Sequence, residues 1–354
     1  MICPTEYGPF VRDLLVRAGD RRQPANGHFE LTNRCNLACS MCYVRLGAND
    51  PTLKRELPAS AWVSLAHDAV ENGMVFLLLT GGEIFLRPDF FQIYEPLTRM
   101  GLILTLFTNG TLITSEIAKR IADSPPNRME ITLYGATAET YEAVTGVPGS
   151  YEHCCNGIDL LLENRIPLGL KTTLTRENIG ELEAMRQMAH NWGLPLLGGW
   201  LLSKRRDGYP SNMENCRLSA QECVKLESTD HVSVKEWTEV ALREPSKAEE
   251  RSFYCQAGRA SFLINAFGEM NVCVDLPSPG SLPLEIGFCK AWKDVQKYVE
   301  SAPPVSPVCL SCEDIAYCPR CPAWSLMETG NLSDPVPYLC EIARARKQQY
   351  EPHV

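Results

Sequence analysis

Short apolar runs recur along the first half of the chain, separated by stretches whose apolar positions fall at helical spacing. Val75-Phe76-Leu77-Leu78-Leu79 is apolar throughout, the pattern of a parallel strand covered on both faces. Strands are expected likewise over His28–Thr32, Leu102–Phe107, Met129–Tyr134, Pro167–Leu174 and Pro195–Leu202. Between them the pattern predicts helices: from a Ser60 cap through Glu71 to a stop at Gly73, over Asp89–Met100 before Gly101, over Ser115–Ala122 and over Tyr151–Glu163. A further helix opens on Asn178 with Glu181 at capping-box spacing and runs to Asn191. Six strand–helix units at roughly thirty-residue spacing imply a parallel sheet with right-handed crossovers, hence a barrel or part of one. A closed barrel of this kind needs eight. Residues 1–27 read as a polar lead-in with a short helix near Phe10 to Ala18.

With 354 residues, 45% hydrophobic and 22% charged, the chain can bury a real core and is not of disordered composition. A net charge of −9 argues against a nucleic-acid surface, because backbone phosphates need clustered cations. The basic runs Lys204-Arg205-Arg206 and Arg344 to Lys347 are short and read as solvated faces. No stretch is long and apolar enough to span a bilayer or to serve as a secretory signal, so a cytoplasmic protein without a membrane partner is expected. Sixteen cysteines in such a chain point to metal or redox duty rather than to disulfides.

Three of them, Cys35, Cys39 and Cys42, sit at C-x3-C-x2-C spacing directly after the first strand. A zinc site wants four ligands, usually in paired units, whereas an iron–sulfur cube accepts thiolates from one short loop, and three leave one iron open. The loop resembles that of the radical S-adenosylmethionine (SAM) superfamily. The resemblance implies that the open iron chelates S-adenosylmethionine and passes it one electron to give a 5′-deoxyadenosyl radical. It also implies a partial (β/α)6 TIM-like barrel, an α/β fold, carrying a small C-terminal iron–sulfur domain. Chemistry in such barrels gathers where strands end, and the unusual residues fall there: Thr80-Gly81-Gly82-Glu83 after strand two, Thr108-Asn109-Gly110 after strand three, Tyr134-Gly135 after strand four. By resemblance Gly81, Gly82 and Glu83 bind the amino group of S-adenosylmethionine. Asn109 and Thr132 are further cofactor-contact candidates, although Asn109-Gly110 alone reads as a turn. Lys171 is expected either to pair with the cofactor's carboxylate or to snorkel out of the barrel.

The expected domains are a lead-in (1–27), the radical SAM barrel (28–228), a bridge (229–250) and a tail (251–354). The tail cysteines Cys255, Cys273, Cys309, Cys312, Cys318, Cys321 and Cys340, with Gly268 five residues before Cys273, resemble the SPASM extension of radical enzymes. Cys318-Pro319-Arg320-Cys321 is one residue shorter than the usual spacing. Phe262-Leu263-Ile264 and Met270-Asn271-Val272 read as a hairpin turning at Gly268. The resemblance implies two auxiliary 4Fe–4S clusters, hence three in all. Cys255, Cys273 and Cys321 would serve the nearer, and Cys309, Cys312, Cys318 and Cys340 the farther. With Ser261 near the place where relatives carry another cysteine, the nearer cluster keeps an open iron or recruits Cys289. A zinc ribbon on Cys309, Cys312, Cys318 and Cys321 is the structural alternative. Of the other cysteines, Cys3, Cys154, Cys155, Cys216 and Cys223, most read as small core residues. Cys154 and Cys155 point apart on one helix, and either could return a hydrogen atom to a product radical if the enzyme epimerises residues.

The segment Ile131-Thr132-Leu133-Tyr134-Gly135-Ala136, with Tyr141 to Gly146 after it, looks most like peptide-modifying members. The resemblance therefore implies hydrogen abstraction from a residue of a ribosomally made peptide, giving a thioether, a carbon–carbon bond or an epimer. Alternatives are a sulfatase maturase making formylglycine, disfavoured because Val274 rather than an aspartate follows Cys273, and a small-molecule enzyme such as a porphyrin decarboxylase or a sugar-alcohol dehydrogenase. An iron–sulfur electron carrier needs no open iron. Expected partners are a peptide or protein substrate, an electron donor such as flavodoxin or ferredoxin, and a separate leader-binding protein, since about 27 residues precede the first strand.

Overall fold

The computed structural model describes residues 4–208, 212–242 and 250–351. Cys3 and part of the expected bridge lie outside them. The chain divides into two compact units, each made of two segments: residues 1–199 with 256–300, and residues 200–255 with 301–354.

The first unit is built on one nine-stranded sheet, ordered β6-β5-β4-β3-β2-β1-β7-β8-β9. The strands are β1 Asn26–Glu30, β2 Phe76–Thr80, β3 Ile103–Thr108, β4 Arg128–Thr132, β5 Leu168–Thr173, β6 Leu196–Gly199, β7 Ser261–Ile264, β8 Met270–Cys273 and β9 Leu276–Ser281. From β6 to β7 every pairing is parallel. Helices α1 Pro4–Asp20, α2 Ala59–Glu71, α3 Phe90–Thr98, α4 Ser115–Ala122, α5 Ala138–Thr145, α6 Ser150–Glu163 and α7 Leu182–Asn191 precede or connect these strands. All six expected barrel strands exist, most of them shifted by one or two residues. The fold is α/β with a run of parallel strands, as the hydrophobic rhythm requires.

Burial alternates along β3 and β4: Leu104, Leu106, Met129 and Ile131 are buried, while Phe107, Glu130 and Thr132 between them are partly open. Since successive side chains point to opposite faces, one face is apolar and the other carries mixed chemistry. On the apolar face Phe29 of β1 meets Trp62 of α2 with ring centroids 5.1 Å apart. Burying two aromatic rings of this kind contributes about 2 kcal/mol or more each.

Three expectations need correction. Ser60 does not cap α2, which begins at Ala59 with Pro58 at its N-cap and no side-chain cap bond. The hairpin turning at Gly268, where φ is +86°, forms, but its strands β7 and β8 continue the barrel sheet through a parallel β1–β7 pairing. The Asn178/Glu181 pair is not a capping box: Asn178 makes no side-chain cap bond to its helix. Its amide instead donates to the Tyr134 and Thr173 carbonyls at 3.0 Å. Glu181 accepts from the Ala136 and Thr137 backbone and from the Thr137 and Thr140 hydroxyls. Both residues fasten the turn after β4, a tertiary role that outweighs local capping.

The second unit contains the helices Ala220–Glu227, His231–Ala241, Pro322–Thr329 and Pro337–Tyr350. Arg346 is buried and donates to both carboxylate oxygens of Glu227, one at 2.9 Å. Arg217 pairs with Glu328 and lies over the Tyr338 ring at 4.5 Å. A buried cation needs such a paired carboxylate, because an unpaired one costs several kcal/mol.

Candidate active site

Four strand-end loops of the first unit meet at one place. The Gly81-Gly82-Glu83 loop runs against the start of the cysteine loop: Gly82 N–H donates to the Thr32 carbonyl at 2.7 Å and Glu83 N–H to the Arg34 carbonyl at 2.8 Å. Only glycine permits this approach. A Cβ on Gly81 would lie 2.4 Å from the Thr32 carbonyl oxygen, and one on Gly82 would lie 2.1 Å from that of Arg34.

Glu83 is wholly buried, and both its oxygens are engaged. One accepts from the Thr108 hydroxyl at 2.8 Å and the Phe85 N–H at 3.1 Å, the other from the Asn109 N–H at 2.7 Å. Burial raises its pKa and these donors oppose the rise. The Glu83 side chain thus locks the β2 loop to the β3 loop. Asn109 carries the lock onward, donating to Asn36 at 2.9 Å and to the Cys35 sulfur at 3.7 Å while accepting from Thr111. The Asn109-Gly110 turn therefore braces the cysteine loop.

From the other side, Ala38 and Ser40 N–H donate to the Thr145 and Val144 carbonyls at the end of α5. Tyr134, just past β4, lies beside Cys39 and opposes the rise of its pKa. Sequence reasoning missed two more supports, Glu56 and Arg87. Glu56 accepts from the Thr32 hydroxyl at 2.8 Å and from the Asn33 N–H at 2.9 Å. Arg87, itself buried, donates to the Leu31 and Leu57 carbonyls and pairs with Asp89. Thr108 orients Glu83. The only sequence signal for Arg87 and Asp89 was a charged pair directly after an apolar tripeptide.

Burial pushes the Cys35 thiol up to about 11, with Glu83 and then Cys42 adding to the rise, and the Cys39 thiol up to about 12, with Cys42 and then Cys35 adding to it. Without metal these thiols stay protonated, since thiolates held this close would repel one another, and bound metal charge would reverse that penalty by stabilising thiolate. Among the described residues no three Cys, His, Asp or Glu side chains converge as they would on a single ion. Backbone N–H groups of Leu37 and Arg45 already point at the Cys35 and Cys42 sulfurs at 3.4 and 3.3 Å.

On the open face of the sheet Thr132 pairs in register with Lys171. Lys171 does not snorkel outward. Its Nζ sits 2.8 Å from the centre of the Phe107 ring, and burial pushes its pKa down to about 7 against the upward pull of Glu130. His28 on β1 is likewise lowered by burial.

In the second unit Cys309, Cys312, Cys318 and Cys340 feel one another's charge, and burial lifts Cys318 to about 12. Cys309, Cys318, Cys321 and Cys340 line one cavity with Arg320 and Asp334. Cys255 and Cys321 flank Tyr254 in the same unit. Cys273 ends β8 in the first unit. Cys289, on the helix Phe288–Glu300, is exposed and donates to Asn72 at 2.8 Å. Cys154, Cys216 and Cys223 are buried, as small core residues should be.

The first unit thus presents a three-thiol loop, braced by a Gly-Gly-Glu turn, at the ends of its parallel strands. Residues 29–189 match the model of the Radical SAM superfamily and form a radical SAM domain. Such a domain uses S-adenosylmethionine and a 4Fe–4S cluster, and the Cys35 loop has the donors for it. The chain is 25% identical over 332 residues to the AdoMet-dependent heme synthase of Methanosarcina barkeri, covering 88% of this chain and 94% of that protein. It is 28% identical over 306 residues to mycofactocin maturase MftC of Mycobacterium ulcerans, covering 82% and 80%. Its fold is similar to that of Streptococcus suis SuiB bound to precursor peptide SuiA, with TM-score 0.68 at 16% identity over 96% of this chain and 82% of that one. No helix among the described residues is long and apolar enough to cross a membrane.

Proposed function

We propose that this protein is a radical SAM peptide maturase. Cys35, Cys39 and Cys42 hold the radical-forming cluster and leave one iron for S-adenosylmethionine. That cofactor, when bound and reduced, supplies a 5′-deoxyadenosyl radical able to take a hydrogen from an unactivated carbon of a peptide residue. The chain's part is positional. Gly81 and Gly82 offer close backbone to the cofactor's amino group, Glu83 and Asn109 fix the two loops that flank it, and Thr132 and Lys171 face it from the sheet. Lys171 in its cationic form is matched to a carboxylate.

The observation that carries this reading is the Glu83–Asn109–Cys35 chain, in which a buried bond from the Asn109 N–H to Glu83 and a partly buried one from the Asn109 amide to the Cys35 sulfur tie the Gly81-Gly82-Glu83 loop to the cysteine loop. The peptide class is supported by the match to the mycofactocin maturase and the fold shared with a precursor-peptide enzyme. Cys309, Cys312, Cys318 and Cys340 are proposed to hold one auxiliary 4Fe–4S cluster. Cys255, Cys273 and Cys321 are assigned to a second on their sequence pattern alone. An electron donor of the flavodoxin or ferredoxin class and a leader-presenting protein complete the system.

A second reading, decarboxylation of a porphyrin-type substrate, is favoured by the match along nearly the whole heme synthase. Anaerobic incubation of the reconstituted protein with S-adenosylmethionine, dithionite and either candidate precursor peptides or a porphyrin tetracarboxylate decides between them. Peptide products that differ by loss of hydrogen support the maturase. Loss of carbon dioxide from the porphyrin, with peptides untouched, replaces it.

A further inference from the structure

The nine-stranded sheet ends in β6 on one side and β9 on the other, and the two edges are built differently. β9 reads Leu276-Pro277-Ser278-Pro279-Gly280-Ser281. Its prolines lack the N–H that a further strand would pair with, and its register with β8 is irregular. The Ser281 hydroxyl also donates to Asp294 of the helix Phe288–Glu300 at 3.0 Å. Prolines and irregular register are devices by which proteins blunt an exposed edge. β6 has neither: Leu196-Leu197-Gly198-Gly199 contains no proline, no charge and no register shift, and it lies in the longest apolar run of the chain, Trp192 to Leu202. Leu197 is 54% exposed, and Gly198 and Gly199 are exposed beside it. An apolar strand left bare on an edge is a template for pairing with another chain.

The backbone fixes which groups that edge offers. Residues along a strand turn their N–H and C=O to alternate sides. The Pro195 and Gly199 carbonyls accept from the Leu170 and Leu174 N–H at 3.0 and 2.7 Å, so these two residues, and Leu197 between them, face β5. Leu196 and Gly198 therefore face outward, where among the described residues no strand pairs with them. This edge is continuous with the candidate active site. Leu197 pairs in register with Lys171, and Lys171 with Thr132, the last residue of β4, so the three form a row across the open face. A strand added outside β6 lies about 5 Å beyond Leu197; one of its side chains extends that row, and alternate ones face the same way.

We propose that the outer edge of β6 is the docking strand for the peptide substrate, which binds there in extended form as an added strand and presents the residue to be modified on the open face of the sheet. The proposal rests on the peptide-maturase reading above. Backbone pairing holds the peptide whatever its side chains are, and it fixes which of them reach the site: a slip of one residue turns the target to the opposite face. Glycine at position 198 keeps the outward amide free of a neighbouring side chain. A porphyrin has no peptide backbone to pair in this way.

The test uses the reconstituted full chain and, as probe, the candidate precursor peptide that the assay above finds altered. Amide hydrogen exchange, resolved to single residues by fragmentation mass spectrometry, is followed with and without it. The Leu196 and Gly198 N–H should exchange freely in the chain alone and slow about tenfold or more under saturating peptide, while Leu197 and Gly199, already turned to β5, change little. Gly198→Pro removes an outward N–H and no bond to β5. It should raise the KM for the peptide about fivefold, the scale of one hydrogen bond, whereas Gly198→Ala, which keeps the N–H, stays near the wild type. The same peptide N-methylated at every second residue should bind poorly in one parity and normally in the other, a measurement that leaves the protein untouched. Exchange at Leu196 and Gly198 unmoved by a peptide that is nonetheless altered, or equal KM across the variants and both N-methylated forms, overturns the docking and leaves the maturase reading intact. Slow exchange in the peptide-free chain that depends on protein concentration assigns the edge to a second copy and overturns the docking as well. If no peptide is altered, the docking and the maturase reading fall together.

Discussion

Lys171 shows how one residue's surroundings set what the site can do. In the unfolded chain it stays cationic up to about pH 10, but inside the fold burial lowers its pKa to about 7. Between those values the unfolded chain binds the extra proton, so this group makes the fold more stable as pH rises through that window. Lys171→Met is therefore expected to raise the urea midpoint of unfolding at about pH 6 and to lose that advantage towards pH 10. The same substitution should weaken S-adenosylmethionine binding about tenfold in equilibrium dialysis, the scale of one charge-assisted hydrogen bond. Unchanged affinity would remove Lys171 from the cofactor site. Glu83 is a second residue-scale case. Glu83→Gln turns an acceptor towards donors as an amide and is expected to cost about 1–3 kcal/mol in denaturant unfolding.

The strand-end loops are the elements on which the chemistry stands, and they were partly legible in the sequence. Apolar runs gave the strands because a parallel sheet covered by helices leaves little room for polar residues. The Cys35 triplet and the Gly-Gly-Glu turn were visible because their residue types are unusual at strand ends. Helix α5 was not anticipated: its eight residues, Ala138–Thr145, carry Thr, Glu and Tyr and too few apolar positions for a clear period. Glu56, Arg87 and the Asn178–Glu181 fastening were hidden for another reason, since their partners lie on other loops and no local pattern encodes them. The glycine pair can be tested directly. Gly82→Ala places a methyl at 2.1 Å from the Arg34 carbonyl oxygen; the loops must part, at a cost of about 1–3 kcal/mol by analogy with overpacked cores. Iron retained per chain after desalting should fall with it, while far-ultraviolet circular dichroism stays close to the wild type.

At the scale of the whole molecule, the linear order of barrel and tail is interleaved. Residues 256–300 return to the first unit and extend its sheet with β7, β8 and β9, while residues 301–354 fold with 200–255. A sequence read from end to end places a boundary near 251 because composition shifts there; strand pairing is long-range and follows no such shift. The division puts Cys35, Cys39 and Cys42 in one unit and Cys309, Cys312, Cys318 and Cys340 in the other. Cys309→Ser combined with Cys312→Ser is expected to remove the iron of one cluster while substrate-free cleavage of S-adenosylmethionine continues, since the radical-forming loop belongs to the other unit. Iron and sulfide analysis with chromatographic assay of 5′-deoxyadenosine checks both halves of that statement.

The central claim is that the Cys35 loop holds a cluster with one iron left for S-adenosylmethionine. Electron paramagnetic resonance of the dithionite-reduced protein, recorded before and after adding S-adenosylmethionine to a Cys255→Ser, Cys273→Ser, Cys309→Ser, Cys312→Ser background that removes ligands of both proposed auxiliary clusters, tests it most directly. The account predicts a reduced 4Fe–4S signal whose g values move when the cofactor is added, and which Cys35→Ala, Cys39→Ala or Cys42→Ala abolishes. A signal unmoved by the cofactor, or one that survives loss of those thiols, would contradict it.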